Sequence, residues 1–326
     1  MNNNSVKIGL FGAGYFGSLH AKNLLSTPFE FLGFYDPNDE QAKLVEDTFQ
    51  IKRFTDPVSL IQASDAIDIV SPTSKHVEIA LLAVENNKHL FIEKPLASSS
   101  KEARRLIDRS KGSKSIIQVG HIERFNPAFQ AAGNICLNPR HIYSKRMAPY
   151  NPRANDVSVI HDLMIHDIDA ILSVVDSKVD KIHASGSRII TEHLDICEAR
   201  LVFENGSIAN LLASRMHIDQ ERFMEIQCMD RLLKIDFLHK TCKSFSFVSG
   251  DTNQDNKIYD WNTPKGHFKV RENILNFSNS NAILEELLEF YNSIVNDEPI
   301  RVDHNDAFRA LFIADKIEQI ALDSLV

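Results

Sequence analysis

Gly12-Ala13-Gly14-Tyr15-Phe16-Gly17 sits between an apolar run, Val6–Phe11, and a stretch with helical spacing, Ser18–Leu25. Glycines in the pattern G-x-G-x-x-G say little alone, but strand, turn and helix in that order give each one a reason. Gly12 allows the tight turn, Gly14 lets the backbone approach a pyrophosphate, and Gly17 lets the helix pack against the strand. Ala13, Tyr15 and Phe16 complete a turn whose helix N-terminus offers unpaired N–H groups and the positive end of a dipole to phosphates. A second apolar run, Phe29–Tyr35, ends at Asp36, whose carboxylate can accept the hydroxyls of an adenosine ribose and repels a 2′-phosphate. Pro37 and Asn38 follow, with no arginine to receive that phosphate. The expectation is a dinucleotide site for NAD rather than NADP.

Outward from this turn, strand and helix signals keep alternating. Helical spacing covers Glu40–Phe49, Ser59–Ala63, Lys75–Asn86 and Ser99–Lys111, and strand-like runs cover Ile67–Ser71, His89–Ile92 and Ser115–Gly120. Alternation of this kind implies right-handed crossovers and a doubly wound parallel sheet, so residues 1–120 read as one α/β domain. Beyond Gly120 the rhythm changes. A short helix at Asn126–Gly133, a strand at Ile142–Arg146 and one long helix over Val157–Val175 precede a series of strands. Those strands are Lys181–Ile190, Ile196–Phe203, Ser207–Ser214, Phe223–Cys228, Arg231–Asp236 and Ser244–Val248, with a hairpin signal at Asn205-Gly206. Strands in sequence without helices between them pair antiparallel, so residues 121–326 read as an α+β domain. The polar stretch Ser249–Phe277 reads as a loop, and Ala282–Val295 and Asp306–Leu322 as terminal amphipathic helices.

Thirty-six Lys and Arg against 44 Asp and Glu leave a formal net charge of −8. Such a chain repels a nucleic-acid backbone, although a local cluster of arginines can still hold one small anion. Four cysteines, Cys136, Cys197, Cys228 and Cys242, show no zinc spacing and no C-x-x-C, and their scatter calls for no disulfide framework. The N-terminus lacks the charged and apolar regions of a signal peptide, and no apolar run approaches the ~18 residues of a membrane span. A cytoplasmic protein with no membrane partner is expected.

Two clusters carry candidate chemistry. Ser71-Pro72-Thr73 and His76 follow one strand of the parallel sheet, and Glu93-Lys94-Pro95 follows the next. Carboxyl ends of such strands face the ligand crevice, which directs Lys94 toward the reacting end of the cofactor, although a surface lysine is the commoner fate. Farther on, Asp162 and His166 are i and i+4 on the expected helix and so share a face. An imidazole titrates near neutral pH, which suits a base that takes a hydroxyl proton as hydride leaves carbon. A packed structural histidine is the competing reading. A metal is not expected, because His161 and His166 are five positions apart and point in different directions from an α-helix.

The glycine turn, Pro72-Thr73 with His76, Glu93-Lys94-Pro95, and Asp162-x-x-x-His166 with Asp169 occur in the order seen in the Gfo/Idh/MocA oxidoreductases, which the sequence resembles over residues 6–170. The resemblance implies a Rossmann domain followed by an α+β domain with a large, mostly antiparallel open sheet. It implies Lys94, Asp162 and His166 as the catalytic set, with NAD held by the glycine turn, Asp36, Ser71–Thr73, His76, Glu93 and Lys94. It also implies a sugar substrate on the open sheet and homodimers or homotetramers formed through that sheet. Gly120–Ala128 and Arg146–Arg153 are similar to members that oxidise the 3-hydroxyl of UDP-N-acetylglucosamine-type sugars, with Arg124, Asn126, Arg146 and Arg153 as substrate contacts. Three alternatives remain open: an inositol or free-sugar dehydrogenase, an NAD-dependent glycosidase, and a non-catalytic NAD(H)-binding redox sensor.

Overall fold

The structure is a computed structural model that describes residues 5–133, 135–136, 139–152, 157–248 and 257–325. The chain divides into two compact units, Met1–Phe125 with Asn281–Phe312 and Asn126–Ser280 with Ile313–Val326.

In the first unit, β1 (Lys7–Phe11), α1 (Tyr15–Leu24), β2 (Glu30–Tyr35), α2 (Asp39–Phe49), α3 (Pro57–Ala63), β3 (Ala66–Ile69), α4 (Thr73–Glu85), β4 (His89–Glu93), α5 (Ser100–Ser110) and β5 (Ile117–Gly120) alternate as expected. The sheet has five parallel strands in the order β2-β1-β3-β4-β5. Arg53 adds a parallel bridge to Phe34 beyond β2, so the complete order is that of a doubly wound nucleotide fold with one strand reduced to a single bridge. Strands buried on both faces read as short apolar runs, and β3 is buried at every position. Helices begin where the sequence supplies caps: Asn38 accepts from the Gln41 N–H, and Asp56 accepts from Val58 and Ser59 with Pro57 first in the helix.

The second unit begins with α6 (Pro127–Gly133), β6 (His141–Met147), a π-helical turn (Ile160–Met164) and α7 (Ile165–Val174). There follow β7 (Val179–Ser187), β8 (Ile196–Phe203), β9 (Ile208–Ser214), β10 (Glu221–Gln227), β11 (Arg231–Asp236), β12 (Thr241–Val248), β13 (Ile258–Thr263) and β14 (Gly266–Ile274). They form a nine-stranded sheet in the order β13-β14-β12-β11-β10-β6-β9-β8-β7. Every pairing is antiparallel except β6 with β9. Burial alternates along β8, as it does in a sheet packed on one face.

Three expectations are corrected here. Ser249–Phe277 is not all loop, because β13 and β14 lie within it. Their outer edge carries polar side chains, which hides the strand period. What holds the pair is aromatic: Phe247 packs on Trp261 and Phe268 with ring centroids 6.0 and 5.5 Å apart. The single helix expected over Val157–Val175 is interrupted by the π turn. Finally, Cys136 and Cys228 are disulfide-linked with their Cα atoms 6.2 Å apart. Cys197 and Cys242 are buried free thiols. Burial pushes Cys197 up to about 12 and Cys242 to about 11, so neither is a thiolate at neutral pH.

Helix α8 (Ala282–Asn296) belongs to the first unit, where the sequence placed everything after Gly120 in the second. Its Phe290 packs against Phe29 and Phe91 with centroids 5.9 and 6.0 Å apart, inside the parallel-sheet core. The following segment adds a bridge from Asp303 to Gln118 at the edge of β5. Helix α9 (His304–Asp323) ends the chain. Among the described residues no helix is long and apolar enough to cross a membrane.

Candidate active site

At the glycine turn the three glycines have different surroundings. Gly12 has φ +105°, and a Cβ there would lie 2.7 Å from the Val70 carbonyl oxygen. A Cβ on Gly17 would strike the Gly12 carbonyl oxygen. Gly14 faces open space, with no described atom within 4 Å of its Cβ position, and no side chain caps α1 there. Two glycines are thus needed by the fold, while the third leaves a clear approach to backbone N–H groups. The side chains of Tyr15 and Phe16 are exposed. Asp36 Oδ2 accepts the Ala13 N–H at 2.7 Å, and Oδ1 accepts the Asn38 N–H at 2.8 Å. These bonds fix the carboxylate beside the turn. The hydroxyl of Ser71, next to Gly12 at the end of β3, is buried without a partner among the described residues. An open glycine, uncapped helix N–H groups, a fixed carboxylate and an orphan hydroxyl fit a dinucleotide. No motif pointed to Arg53, whose Nη2 donates to the Asp36 carbonyl at 2.9 Å and to Asp39 Oδ1 at 2.7 Å.

Lys94 begins the loop after β4. Its N–H donates to Glu93 Oε2 at 2.9 Å, and the other oxygen of Glu93 lies 3.1 Å from His20 Nε2. Both carboxylate oxygens of Glu93 are thus engaged within the first unit. His76 is buried. Its Nδ1 lies 3.0 Å from the Pro95 carbonyl and its Nε2 2.8 Å from the Ser71 carbonyl. Burial lowers its pKa, and the neutral ring carries one N–H, donated to one carbonyl at a time. His76 thereby joins the Ser71–Thr73 and Lys94–Pro95 loops. Thr73 opens α4, and Pro72 precedes it.

In the second unit the π turn carries His161 and Asp162, and α7 carries His166, Asp167 and Asp169. The turn before α7, which carries Asp162 ahead of His166, is wound wider than an α-helix and is closed by the Ile165 N–H to the Ile160 carbonyl. Asp162 and His166 are half-buried, while Ile160, Met164, Ile165 and Ile168 go into the core. His161 is held by Ser158 Oγ at 3.1 Å and by Asp315 Oδ1 of α9 at 2.9 Å, which is a structural role. Among the described residues no metal-type cluster forms around His161 and His166.

Two expected substrate contacts are committed elsewhere. Arg146 on β6 is buried and binds Asp167, with Nη2 to Oδ1 at 2.7 Å and Nε to both carboxylate oxygens at 3.1 and 3.2 Å. Asn126 is buried, donating to the Phe237 carbonyl at 3.0 Å and accepting the Ala128 N–H at 3.1 Å as the cap of α6. Arg124 is half-buried in a 3-10 turn, Ile122–Phe125, and Arg153 lies outside the described residues.

Residues 6–121 match the Gfo/Idh/MocA model described as an oxidoreductase family with an NAD-binding Rossmann fold, and residues 137–232 match that family's C-terminal domain. Over 299 residues, 91% of each chain, the sequence is 31% identical to UDP-N-acetylglucosamine 3-dehydrogenase of Acidithiobacillus ferrooxidans. The chain belongs to the Gfo/Idh/MocA family. It is an NAD-dependent oxidoreductase. The crystal structure of that same Acidithiobacillus enzyme, GnnA, superposes with a TM-score of 0.86 over 97% of each chain at 29% identity. Myo-inositol 2-dehydrogenase of Thermotoga maritima is more distant, 26% identical over 64% of this chain and 69% of its own length.

Proposed function

We propose that this oxidoreductase oxidises the 3-hydroxyl of a UDP-N-acetylglucosamine-type nucleotide sugar. The observation that carries the reading is the 31% identity along 91% of each chain with an enzyme of that activity, set against partial coverage by an inositol dehydrogenase. NAD, when bound, accepts the hydride. Gly12–Gly17 and Asp36 hold it, the open side of Gly14 receiving the pyrophosphate and Asp36 the ribose hydroxyls. Lys94 and His166 take the hydroxyl proton between them, and a positive charge on either stabilises the developing alkoxide. Asp162 orients the imidazole or the sugar. Arg124 and Arg153 meet the diphosphate, whereas the charge of Arg146 is neutralised by Asp167. Arg146 then acts by fixing the residue next to His166.

The test is a screen of the purified protein with NAD+ against UDP-sugars, inositols and free hexoses, following NADH absorbance. Turnover with an inositol or hexose and none with any UDP-sugar overturns the substrate. Cleavage of a glycoside without net NADH identifies a glycosidase instead. A Gly14→Val variant is expected to keep the wild-type melting temperature while raising KM for NAD about tenfold or more, because its side chain enters open space needed by the cofactor. Unchanged KM would place the pyrophosphate elsewhere.

We propose association through the open sheet. Leu232, Lys234, Phe245, Phe247, Tyr259 and Trp261 line a concavity of about 410 Å³ on it, and Phe247 and Trp261 are each 50% exposed. Large exposed aromatics together mark a binding surface. Phe247→Glu with Trp261→Glu should lower the mass measured by sedimentation. A wild-type mass would exclude this end of the sheet.

A further inference from the structure

Behind the lysine loop, four titratable side chains of the first unit meet in its core. His20 of α1 places Nδ1 2.9 Å from Asp68 Oδ2 of β3, and Nε2 3.1 Å from Glu93 Oε1 at the end of β4. Glu286 of α8 completes the group: one atom each of His20, Glu93 and Glu286 lie within 4.8 Å of one another. His20, Asp68 and Glu286 are 0% exposed. Among the described residues, neither carboxyl oxygen of Glu286 has a hydrogen-bond partner. Nearby, Gln118 of β5 donates to the Glu286 main-chain carbonyl at 2.9 Å.

Three ionised carboxylates around one imidazole would concentrate negative charge in a dry core, where it is costly. The contacts show how the charge is reduced. Carboxyl oxygens face both nitrogens of His20 and, with Asp68 and Glu93 ionised, satisfying both requires two N–H donors, hence an imidazolium. Asp68 and Glu93 are its counter-charges. Glu286 meets no donor that would stabilise an anion.

We infer that His20 and Glu286 each hold a proton at neutral pH, and that the imidazolium, by pinning Glu93, positions Lys94 for its part in the reaction. The first half stands on the cluster alone, and the second rests on the assignment of Lys94 above. Glu93 is gripped at both oxygens, by His20 on one and by the Lys94 N–H on the other, so the main chain at Lys94 inherits the order of the core. His20 is a positioning residue. Glu286 contributes by staying neutral beside it.

The electrostatics run the same way. Burial alone would drive His20 neutral, but the charge and hydrogen bond of Asp68, then those of Glu93, hold it well above the ordinary 6.5. Burial, and next the charge of Glu93, hold Glu286 well above 4.5. The other charges facing the cluster are Lys94, beside Glu93, and Glu289 of α8, which is paired with Arg301 at 3.3 Å. Both folded-state values are raised. Their contribution to stability is therefore full below the unfolded values, 4.5 for Glu286 and 6.5 for His20, and is lost as pH rises through the folded ones.

Glu286→Gln, a neutral isostere, separates this from an ionised Glu286. The variant should melt at or above the wild type at about pH 8 and converge with it toward pH 4.5. It should keep kcat within about twofold, whereas Glu286→Ala, which leaves a cavity, should not. In the wild type, infrared spectra at about pH 8 should show a protonated carboxyl band that Glu286→Gln lacks, and nitrogen NMR should show His20 protonated at both ring nitrogens. His20→Gln should lower kcat about 10²-fold with NADH affinity, read by fluorescence, little changed. An absent carboxyl band, a neutral His20, or a Glu286→Gln variant that melts lower at pH 8 overturns the protonation. So does a stoichiometric divalent cation that the purified wild type carries and Glu286→Gln loses. Wild-type kcat in His20→Gln overturns the positioning. If His20→Gln does not fold, the wild-type spectra and Glu286→Gln still decide the protonation, and the kcat of Glu93→Gln decides the positioning by the same criterion. Wild-type turnover in Lys94→Ala would instead sink the assignment of Lys94 and leave the spectra untouched.

Discussion

Lys94→Ala should lower kcat by about 10²–10⁴-fold, the usual contribution of one well-placed proton-transfer group. KM for NAD should stay close to that of the wild type, because the glycine turn and Asp36 do not depend on the Lys94 side chain. Steady-state NADH formation with the best UDP-sugar gives kcat, and NADH fluorescence gives the binding half. Lys94→Arg should not rescue, since a guanidinium remains protonated throughout and is a poor base. Turnover like the wild type's in Lys94→Ala would remove the lysine from the reaction and leave His166 to act alone.

The second large effect lies in the other unit. Arg146 and Asp167 are each 3% exposed in their side chains, so removing one takes a buried counter-charge from the other. Arg146→Met is expected to destabilise that unit by about 3–5 kcal/mol. Adding Asp167→Leu should recover most of the loss, because two apolar side chains often replace a buried ion pair at little cost. Urea unfolding followed by the fluorescence of Trp261, the single tryptophan, reads this unit directly because β13 lies within it. A single variant as stable as the wild type would show that the pair contributes nothing. Activity in the double variant is a separate question: if it falls while stability returns, the pair also orients His166, which adjoins Asp167.

Much of the first unit is legible in the sequence because its signals are local. A glycine turn after a buried strand, Asp36 at the end of the next, and apolar runs alternating with helical spacing each depend on neighbouring residues. What the sequence left out depends on distant ones. His20 looks like any polar residue on a helix, and only the buried Asp68, an acid in the apolar strand Ala66–Ile69, hinted that something must neutralise it. Arg146 reads as a substrate contact, and its partner Asp167 comes into view only when β6 and α7 are brought together. Cys136 and Cys228 are 92 positions apart, and nothing in their spacing announces a bond. The π turn escaped because Val157–Val175 is apolar on several sides, so a one-residue change in helical register leaves the pattern intact. The hairpin β13–β14 escaped for another reason. At the edge of a sheet few of its side chains are buried, and Tyr259, Trp261 and Phe268 around the Gly266 turn were the trace it left.

The assignment of Asn281–Phe312 to the first unit bears on how the chain comes off the ribosome. Although this unit starts at the N-terminus, Phe290 and Leu287 of its core and Glu286 of its charged cluster are made only after the whole nine-stranded sheet has been translated. Domains often complete in the order they are synthesised, but here the first unit waits for α8, and the second waits in turn for Ile313–Val326. Until α8 emerges, Phe29 and Phe91 lack the Phe290 contact that completes this core. A nonsense mutation anywhere in Asn126–Ser280 would therefore truncate both units.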